Sequence, residues 1–164
     1  MKFLIICDAI KRYIDDRQAE NIATLVSRFK EANKESGYYI IFINSIIESG
    51  DEDFDSELEP TVLGTEDAEL PAAILGCIRP DNTSLSWRKR LSPFNEGNPC
   101  VWEIMDGIHS HLNESGEEIT HVSFLFCTDN KVTNDAVVHG FKEKIEDWDE
   151  ASEIKIGKTM ARWI

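Results

Sequence analysis

The chain has 164 residues, of which 41% are hydrophobic, and its 31 acidic and 17 basic residues give a formal net charge of −14. This length suffices for one domain with a sizeable core, and we expect residues 1–164 to form a single domain. The charge argues against strongly negative partners, so neither nucleic acid nor a membrane surface is expected.

The patterns of apolar residues, cysteines and histidines indicate the cellular compartment and whether a metal is bound. No apolar run is long enough to cross a bilayer, and the N-terminal run is too short for a signal peptide. The four cysteines lack C-x-x-C spacing, which indicates buried, reduced thiols. His109 and His111 diverge on a predicted helix, so they do not predict a zinc site. We therefore expect a cytoplasmic or nuclear protein without a metal or cofactor.

The first predicted element is a buried strand. Phe3 to Cys7 is an unbroken apolar run, typical of a strand covered by helices on both faces, and Asp8 follows where the strand should end. In open α/β sheets, ligands bind beyond the carboxyl ends of the strands, so Asp8 is a candidate for chemistry. The alternative is that Asp8 only caps the turn or helix that follows.

A helix and a second buried strand come next. Apolar residues recur with helical period between 16 and 34, and Gly37 is positioned to end this helix. The apolar run 38–43 then predicts a strand that finishes at Asn44. Strand, helix and strand with short links form a βαβ unit, which should be right-handed.

An acidic segment at 48–59 follows the second strand. Its alternating aspartates resemble a calcium-binding loop, but Ser56 stands where such a loop needs Gly. Val62 stands where the loop needs a bidentate Glu. We therefore expect a solvent-exposed loop rather than a metal site.

Three consecutive cations, Arg88, Lys89 and Arg90, leave the end of a short strand predicted at 84–87. A charge run is usually a solvated surface. Because this run follows a strand, it is also a candidate to face the same crevice as Asp8.

The second half of the chain continues the alternation of helices and strands. A short helix is predicted at 68–75 and a turn at 80–82. Later elements are a helix starting at Asn98-Pro99 and ending near Asn113, a buried strand at 122–127, a helix at 133–148 and a strand at 153–156. This alternation predicts a three-layer α/β domain with a mainly parallel sheet of five or six strands. No glycine follows the first strand, which excludes the dinucleotide fingerprint and the P-loop.

These segments, in this order, resemble the isochorismatase-like hydrolases, a superfamily that includes isochorismatases, nicotinamidases and N-carbamoylsarcosine amidases. The matching segments are LIICDAIKRYI, with Asp8 at the family's catalytic Asp, then LGT with AEL, RKRLSPF and ITHVSFLFCTDNKVTNDAV. The resemblance implies a Rossmann-like topology and a homo-oligomer or another protein partner.

The resemblance also implies a degenerate catalytic triad. Arg88 occupies the position of the family's catalytic Lys, Lys89 comes one place later, and Thr133 aligns with the nucleophilic Cys. Ile10 replaces the Gln that usually follows the Asp, and the metal motif of nicotinamidases has no counterpart. A threonine hydroxyl is far less acidic than a thiol, and arginine keeps its proton at physiological pH.

Three functional hypotheses follow. In the first, which we prefer, the chain is a non-catalytic protein that uses the fold for binding or assembly. In the second, it is a Cys-independent hydrolase of a small carboxylated substrate, with Asp8 as general acid and Arg88 or Lys89 holding the carboxylate. In the third, it is an unrelated acidic α/β module, nuclease-like or nucleotide-binding, in which Asp8 and Asp129 converge on a divalent ion.

The space in front of Asp8 discriminates between them. A crevice filled by Ile10, Leu91 or Trp87 favours the non-catalytic protein. An open pocket that holds Asp8 beside an inward Arg88 or Lys89 favours the hydrolase. Convergence of Asp8 with Asp129 favours the nuclease.

Overall fold

The computed structural model describes residues 1–79, 81–94, 99–148 and 154–164, without the side chains of Pro99 and Cys100. Its strands are β1 (Lys2–Cys7), β2 (Tyr38–Ile47), β3 (Thr61–Val62), β4 (Thr83–Arg88), β5 (His121–Phe126) and β6 (Lys155–Met160). Its helices are α1 (Asp16–Asn33), α2 (Ala72–Leu75), α3 (Pro99–Ser115) and α4 (Lys131–Glu146).

The strands form one parallel sheet in the order β3-β2-β1-β5-β6. Both β3 and β4 pair with β2 on the edge away from β1, β4 along residues 40–45 and β3 along residues 46–47. The central strand β1 pairs along its whole length with β2 and β5. This architecture confirms the predicted α/β fold with a mainly parallel sheet of five or six strands.

Two hydrophobic clusters cover the two faces of the sheet. Side chains alternate along a strand, so Phe3, Ile5 and Cys7 face the cluster that α3 and α4 complete, whereas Leu4 and Ile6 face α1 and α2. The apolar run of β1 is therefore buried on both faces, as its composition predicts.

The first helix shows how local sequence sets an element. Asp15 caps α1, its side chain accepting from the Gln18 backbone N–H, while the Gln18 side chain accepts from the Asp15 backbone N–H. The helix ends at Asn33, and Gly37 adopts a φ of 80° before β2, close to the predicted stop.

Several boundaries differ from the predictions. Strand β2 runs to Ile47, past its predicted end, because the buried polar residues Asn44 and Ser45 continue the pairing with β4. The helix predicted at 68–75 is regular only from Ala72 to Leu75, since Pro71 supplies no N–H. β6 reaches Met160, beyond the predicted end, because an exposed edge strand needs no apolar run.

Other predictions fall partly outside the described residues. These are the turn at Pro80, the cap at Asn98 and the start of the last strand at Glu153. Within the described residues, no helix has both the length and the apolar character needed to span a bilayer.

Candidate functional site

Asp8 lies at the carboxyl end of β1, where the chain turns away from the sheet. Its φ of 61° is in the left-handed region, which is uncommon outside glycine but tolerated by Asp. The side chain is 2% exposed, and its Oδ1 accepts a hydrogen bond of 2.7 Å from the Ser45 backbone N–H. The cap of α1 is Asp15, so the interpretation of Asp8 as the cap of that helix is wrong.

Arg88, the last residue of β4, points inward and is 1% exposed. Its Nε donates to Ser45 Oγ at 3.3 Å, and its Nη1 donates to the carbonyls of Leu91 at 2.7 Å and Thr133 at 3.4 Å. Its Nη2 has no hydrogen-bond partner among the described residues. Ser45 thus lies between Asp8 and Arg88 and connects the carboxylate to the guanidinium.

Thr133 lies in the first turn of α4 and is buried. Its hydroxyl donates to the Asn130 carbonyl at 3.1 Å, and its backbone N–H donates to Asn130 Oδ1 at 3.2 Å. The hydroxyl hydrogen is therefore bonded within the first turn of α4 and is not directed toward Asp8. Thr133 joins the buried site through its carbonyl. We call Asp8, Ser45, Arg88 and Thr133 the buried polar cluster.

Lys89 and Arg90 turn away from this cluster. Lys89 Nζ lies 3.1 Å from Asp51 Oδ2, and Arg90 Nη2 lies 2.6 Å from Asp53 Oδ1. Arg90 also lies 3.7 Å from Asp55. The expectation that all three cations face the crevice is thus wrong for Lys89 and Arg90, because the acidic segment attracts them, and it holds for Arg88 alone.

The acidic segment 48–59, which we call the acidic strap, is anchored at three places. After β4, the Asp55 backbone N–H donates to the Lys89 carbonyl at 2.9 Å, and the Asp55 carboxylate accepts from the Leu91 N–H at 2.8 Å. Arg12, in the turn after Asp8, donates to the Glu59 carbonyl at 2.7 Å, and Asn130 at the start of α4 donates to the Glu57 carbonyl at 2.8 Å. The strap therefore crosses the carboxyl ends of β4, β1 and β5. Most of its side chains are exposed, as expected of a solvated segment, but it is held against the sheet at these three places.

Burial dominates the electrostatics of the cluster. Desolvation raises the pKa of Asp8, although Arg88 and the Ser45 N–H partly offset this effect. Desolvation raises the pKa of the Cys7 thiol to about 12 and that of the Cys127 thiol well above its ordinary value. Both neighbouring cysteines are therefore neutral at physiological pH, and neither is an activated nucleophile.

The cluster is closed to solvent. Asp8, Arg88 and Thr133 are buried, as is Ile10 in the turn after Asp8, while Trp87 is exposed. Two cavities of about 560 and 550 Å³ lie elsewhere, and none of the three aligned positions lines either of them. Of the side chains expected to fill the crevice, Ile10 is the fully buried one.

Asp8 and Asp129 do not converge. Asp129 is exposed, and its carboxylate pairs with Arg162 Nη1 at 3.2 Å, near the C-terminal turn. Within the described ranges, no group of three or more His, Cys, Asp or Glu side chains is placed to hold a metal ion. The geometry expected of a metal-dependent nuclease is therefore not found in this part of the chain.

Sequence reasoning missed two polar residues of this region, Asn44 and Ser45. Both are buried, and Asn44 Oδ1 has no hydrogen-bond partner in the described part of the chain. A signal was present, because the two polar residues interrupt the apolar run YYIIFINSII at the end of a strand. By composition alone this interruption predicts the end of the strand, whereas in the fold the strand continues and Ser45 lies beside Asp8 and Arg88.

No protein-family profile and no curated protein sequence matches the chain. Among solved structures, the fold is similar to that of the pyrazinamidase/nicotinamidase of Streptococcus mutans, with a TM-score of 0.58, 14% identity and coverage of 95% of this chain and 84% of that one. It is also similar to the N-carbamoylsarcosine amidase of Thermoplasma acidophilum, with a TM-score of 0.50, 15% identity and coverage of 96% and 95%. These similarities confirm the fold that the sequence resemblance implied.

Proposed function

We propose that this chain, which has the isochorismatase-like fold, is a non-catalytic protein that uses the fold for binding or assembly. One observation carries the proposal. Arg88, at the position of the family's catalytic Lys, is buried and hydrogen-bonded to Ser45, Leu91 and Thr133. Its guanidinium holds three segments together in the place where a lysine would take part in proton transfer.

The chemistry available to the cluster supports this proposal. Arginine does not exchange its proton at physiological pH. Thr133 uses its hydroxyl hydrogen within the first turn of α4, and the thiols of Cys7 and Cys127 remain protonated. Neither Thr133 nor either thiol is therefore a ready nucleophile for amide hydrolysis.

Closure of the site supports it as well. The acidic strap is anchored to the turn after β1, the segment after β4 and the start of α4, which are the three places that supply Asp8, Arg88 and Thr133. A substrate would have to displace these contacts to reach the Asp8 carboxyl group.

A second candidate is a Cys-independent hydrolase of a small carboxylated substrate. It is favoured by the raised pKa of Asp8, which suits a general acid. It is also favoured by Arg88 Nη2, which has no partner in the described part of the chain and could donate to a carboxylate. This activity would require the acidic strap to open.

Comparison of the wild-type protein with Asp8→Asn tests both candidates. The substrates would be isochorismate, nicotinamide and N-carbamoylsarcosine, with product followed by chromatography. We expect no turnover of any of them above that of the variant. The control is Asp147→Asn, the same substitution at an exposed aspartate. Turnover that Asp8→Asn abolishes and Asp147→Asn retains, with both variants folded, would overturn the non-catalytic proposal in favour of the hydrolase.

A further inference from the structure

A groove lies beyond the carboxyl ends of β5 and β6, beside the start of α4. Its volume is about 560 Å³, within the usual range for sites that bind small molecules. We call it the C-terminal groove and define it by Phe126, Lys131, Asn134, Lys158, Arg162 and Trp163. It shares no residue with the buried polar cluster.

The groove concentrates positive charge in an acidic protein. Lys131, Lys158 and Arg162 line it together with two carboxylates, Asp129 and Asp135. Arg162 pairs with Asp129 at 3.2 Å, Lys158 lies 4.0 Å from Asp135, and Lys131 contacts the same carboxylate. Such exposed pairs contribute little to stability, so the cations can turn to a bound anion at small cost. The N-terminus of α4 adds its partial positive charge.

Trp163 provides an aromatic surface at the rim. It is 78% exposed, and the guanidinium carbon of Arg162 lies 5.4 Å from the centre of its ring. Phe126 and Met160 contribute apolar surface to the same groove. An indole ring left in water offers a face on which a planar group can stack.

Asn134 forms part of the wall of the groove and is only 9% exposed. Its Nδ2 donates to the Thr128 carbonyl at 2.9 Å, which fixes the orientation of the amide, while its Oδ1 has no hydrogen-bond partner within the described residues. This oxygen has almost no accessible surface, so a ligand in the groove does not reach it unless the side chain moves.

We infer that the C-terminal groove binds a small phosphate ester with an aromatic body, the chemistry of a mononucleotide. The phosphate lies among Lys131, Lys158 and Arg162, and the ring packs on Trp163. A phosphate dianion suits three cations that share two carboxylates among the described residues. This inference goes beyond the proposed function, because it does not depend on what happens at Asp8.

Calorimetric titration of the full chain with AMP tests the inference, and Trp fluorescence gives a second readout. We expect saturable binding of one AMP per chain. Lys158→Ala should weaken it about tenfold, the loss of one charge-assisted hydrogen bond. Lys142→Ala is the matched control, because Lys142 is 54% exposed against 52% for Lys158 and does not line the groove. It should change the affinity by less than about twofold.

Further titrations distinguish the contribution of the phosphate from that of the aromatic ring. Trp163→Ala should weaken AMP about tenfold through lost stacking, and it should leave the weaker binding of inorganic phosphate unchanged. Adenosine without phosphate should bind more weakly than AMP.

The inference is overturned if AMP does not saturate the protein at millimolar concentration. It is equally overturned if Lys158→Ala and Lys142→Ala bind AMP alike, or if inorganic phosphate binds as tightly as AMP. Asp8→Asn should bind AMP as the wild-type protein does. The two proposals can therefore fail separately. Turnover that depends on Asp8 would contradict the non-catalytic proposal without changing AMP binding, and loss of AMP binding would contradict the inference about the groove alone.

Discussion

The Asp8 carboxyl group lies in an environment that favours its neutral form. Burial raises its pKa above the ordinary value of 3.8, against the opposing effects of Arg88 and the Ser45 N–H. Between these two pKa values the folded protein binds more protons than the unfolded chain. The free energy of unfolding contributed by this group therefore falls as pH rises through that window, so the raised pKa lowers stability at neutral pH.

Asp8→Asn should accordingly stabilise the protein at neutral pH. Asparagine tolerates the left-handed backbone and can still accept from the Ser45 N–H, and the neutral amide avoids a desolvation cost that outweighs the attraction of the ionised carboxylate to Arg88. We expect a gain of about 1 kcal/mol, or about 2–4 °C in Tm. Urea unfolding from pH 5 to 8 checks this. The gain should not shrink as pH rises, and a variant less stable than the wild type at neutral pH would contradict the prediction. Asp147→Asn reports the effect of net charge alone.

Arg88 should be a structural residue whose shape matters as well as its charge. Arg88→Lys keeps the cation but cannot reproduce the bonds to Ser45, Leu91 and Thr133, so we expect a loss of about 1–3 kcal/mol. Arg88→Met leaves Asp8 buried without a neighbouring cation and should cost about 3–5 kcal/mol.

The double variant Arg88→Met/Asp8→Asn provides the control for Arg88. Removing both charges together should recover part of the loss caused by Arg88→Met, because no uncompensated charge then remains in the core. Urea unfolding curves of the four proteins give the coupling energy. If Arg88→Lys proved as stable as the wild type, the structural role assigned to the guanidinium would be wrong.

Among the elements, the acidic strap is the one whose position depends most on charge. Asp51 and Asp53 have pKa values lowered mainly by hydrogen bonds, to Asp51 from the Asp53 N–H and Lys89, and to Asp53 from Arg90. A lowered pKa in the folded state stabilises the protein above the ordinary value of 3.8, and this contribution is lost as pH falls through the folded-state values. The strap should therefore loosen in acid and in high salt.

Removal of the two cations should release the strap at neutral pH. In Lys89→Met/Arg90→Met the carboxylates of 48–59 lose their partners, so we expect faster amide exchange and faster protease cleavage within this segment, several-fold at low salt. Lys142→Met, a change to an exposed lysine on α4, is the control. Equal exchange rates in the strap of both variants would show that the ion pairs do not hold it.

For the molecule as a whole, the parallel sheet brings two polar sites to the same side, at the carboxyl ends of its strands. The buried polar cluster lies at the ends of β1, β2 and β4, and the C-terminal groove lies at the ends of β5 and β6. The first is closed by the acidic strap and the second is open. The fold therefore places its accessible site away from the position that the resemblance marks as catalytic.

Self-association, implied by the resemblance, remains a prediction for the whole molecule. The net charge of −14 repels a second copy, so any oligomer should become more stable as salt is raised. Light scattering during size-exclusion chromatography at low and moderate salt measures the mass. A mass of one chain at every salt concentration and at high protein concentration would contradict the prediction.

Local sequence was enough for the sheet and for the position of Asp8. The apolar run of β1 has a composition that is stable only when both faces are covered, and that property does not depend on distant residues. The interaction of Arg88, Lys89 and Arg90 with different partners could not be predicted in the same way. Which cation points inward depends on the end of β4 and on carboxylates far away in the chain.

The remaining features depend on contacts between segments that are distant in sequence. Ser45 connects Asp8 to Arg88 only because β2 lies between β1 and β4, and nothing near Ser45 in the sequence indicates either partner. Asn134 and Trp163 meet at one groove because β6 pairs with β5 and brings the C-terminal turn beside α4. Burial patterns are local and can be predicted from composition, whereas the pairing of charges and polar groups is set by the packing of the folded chain.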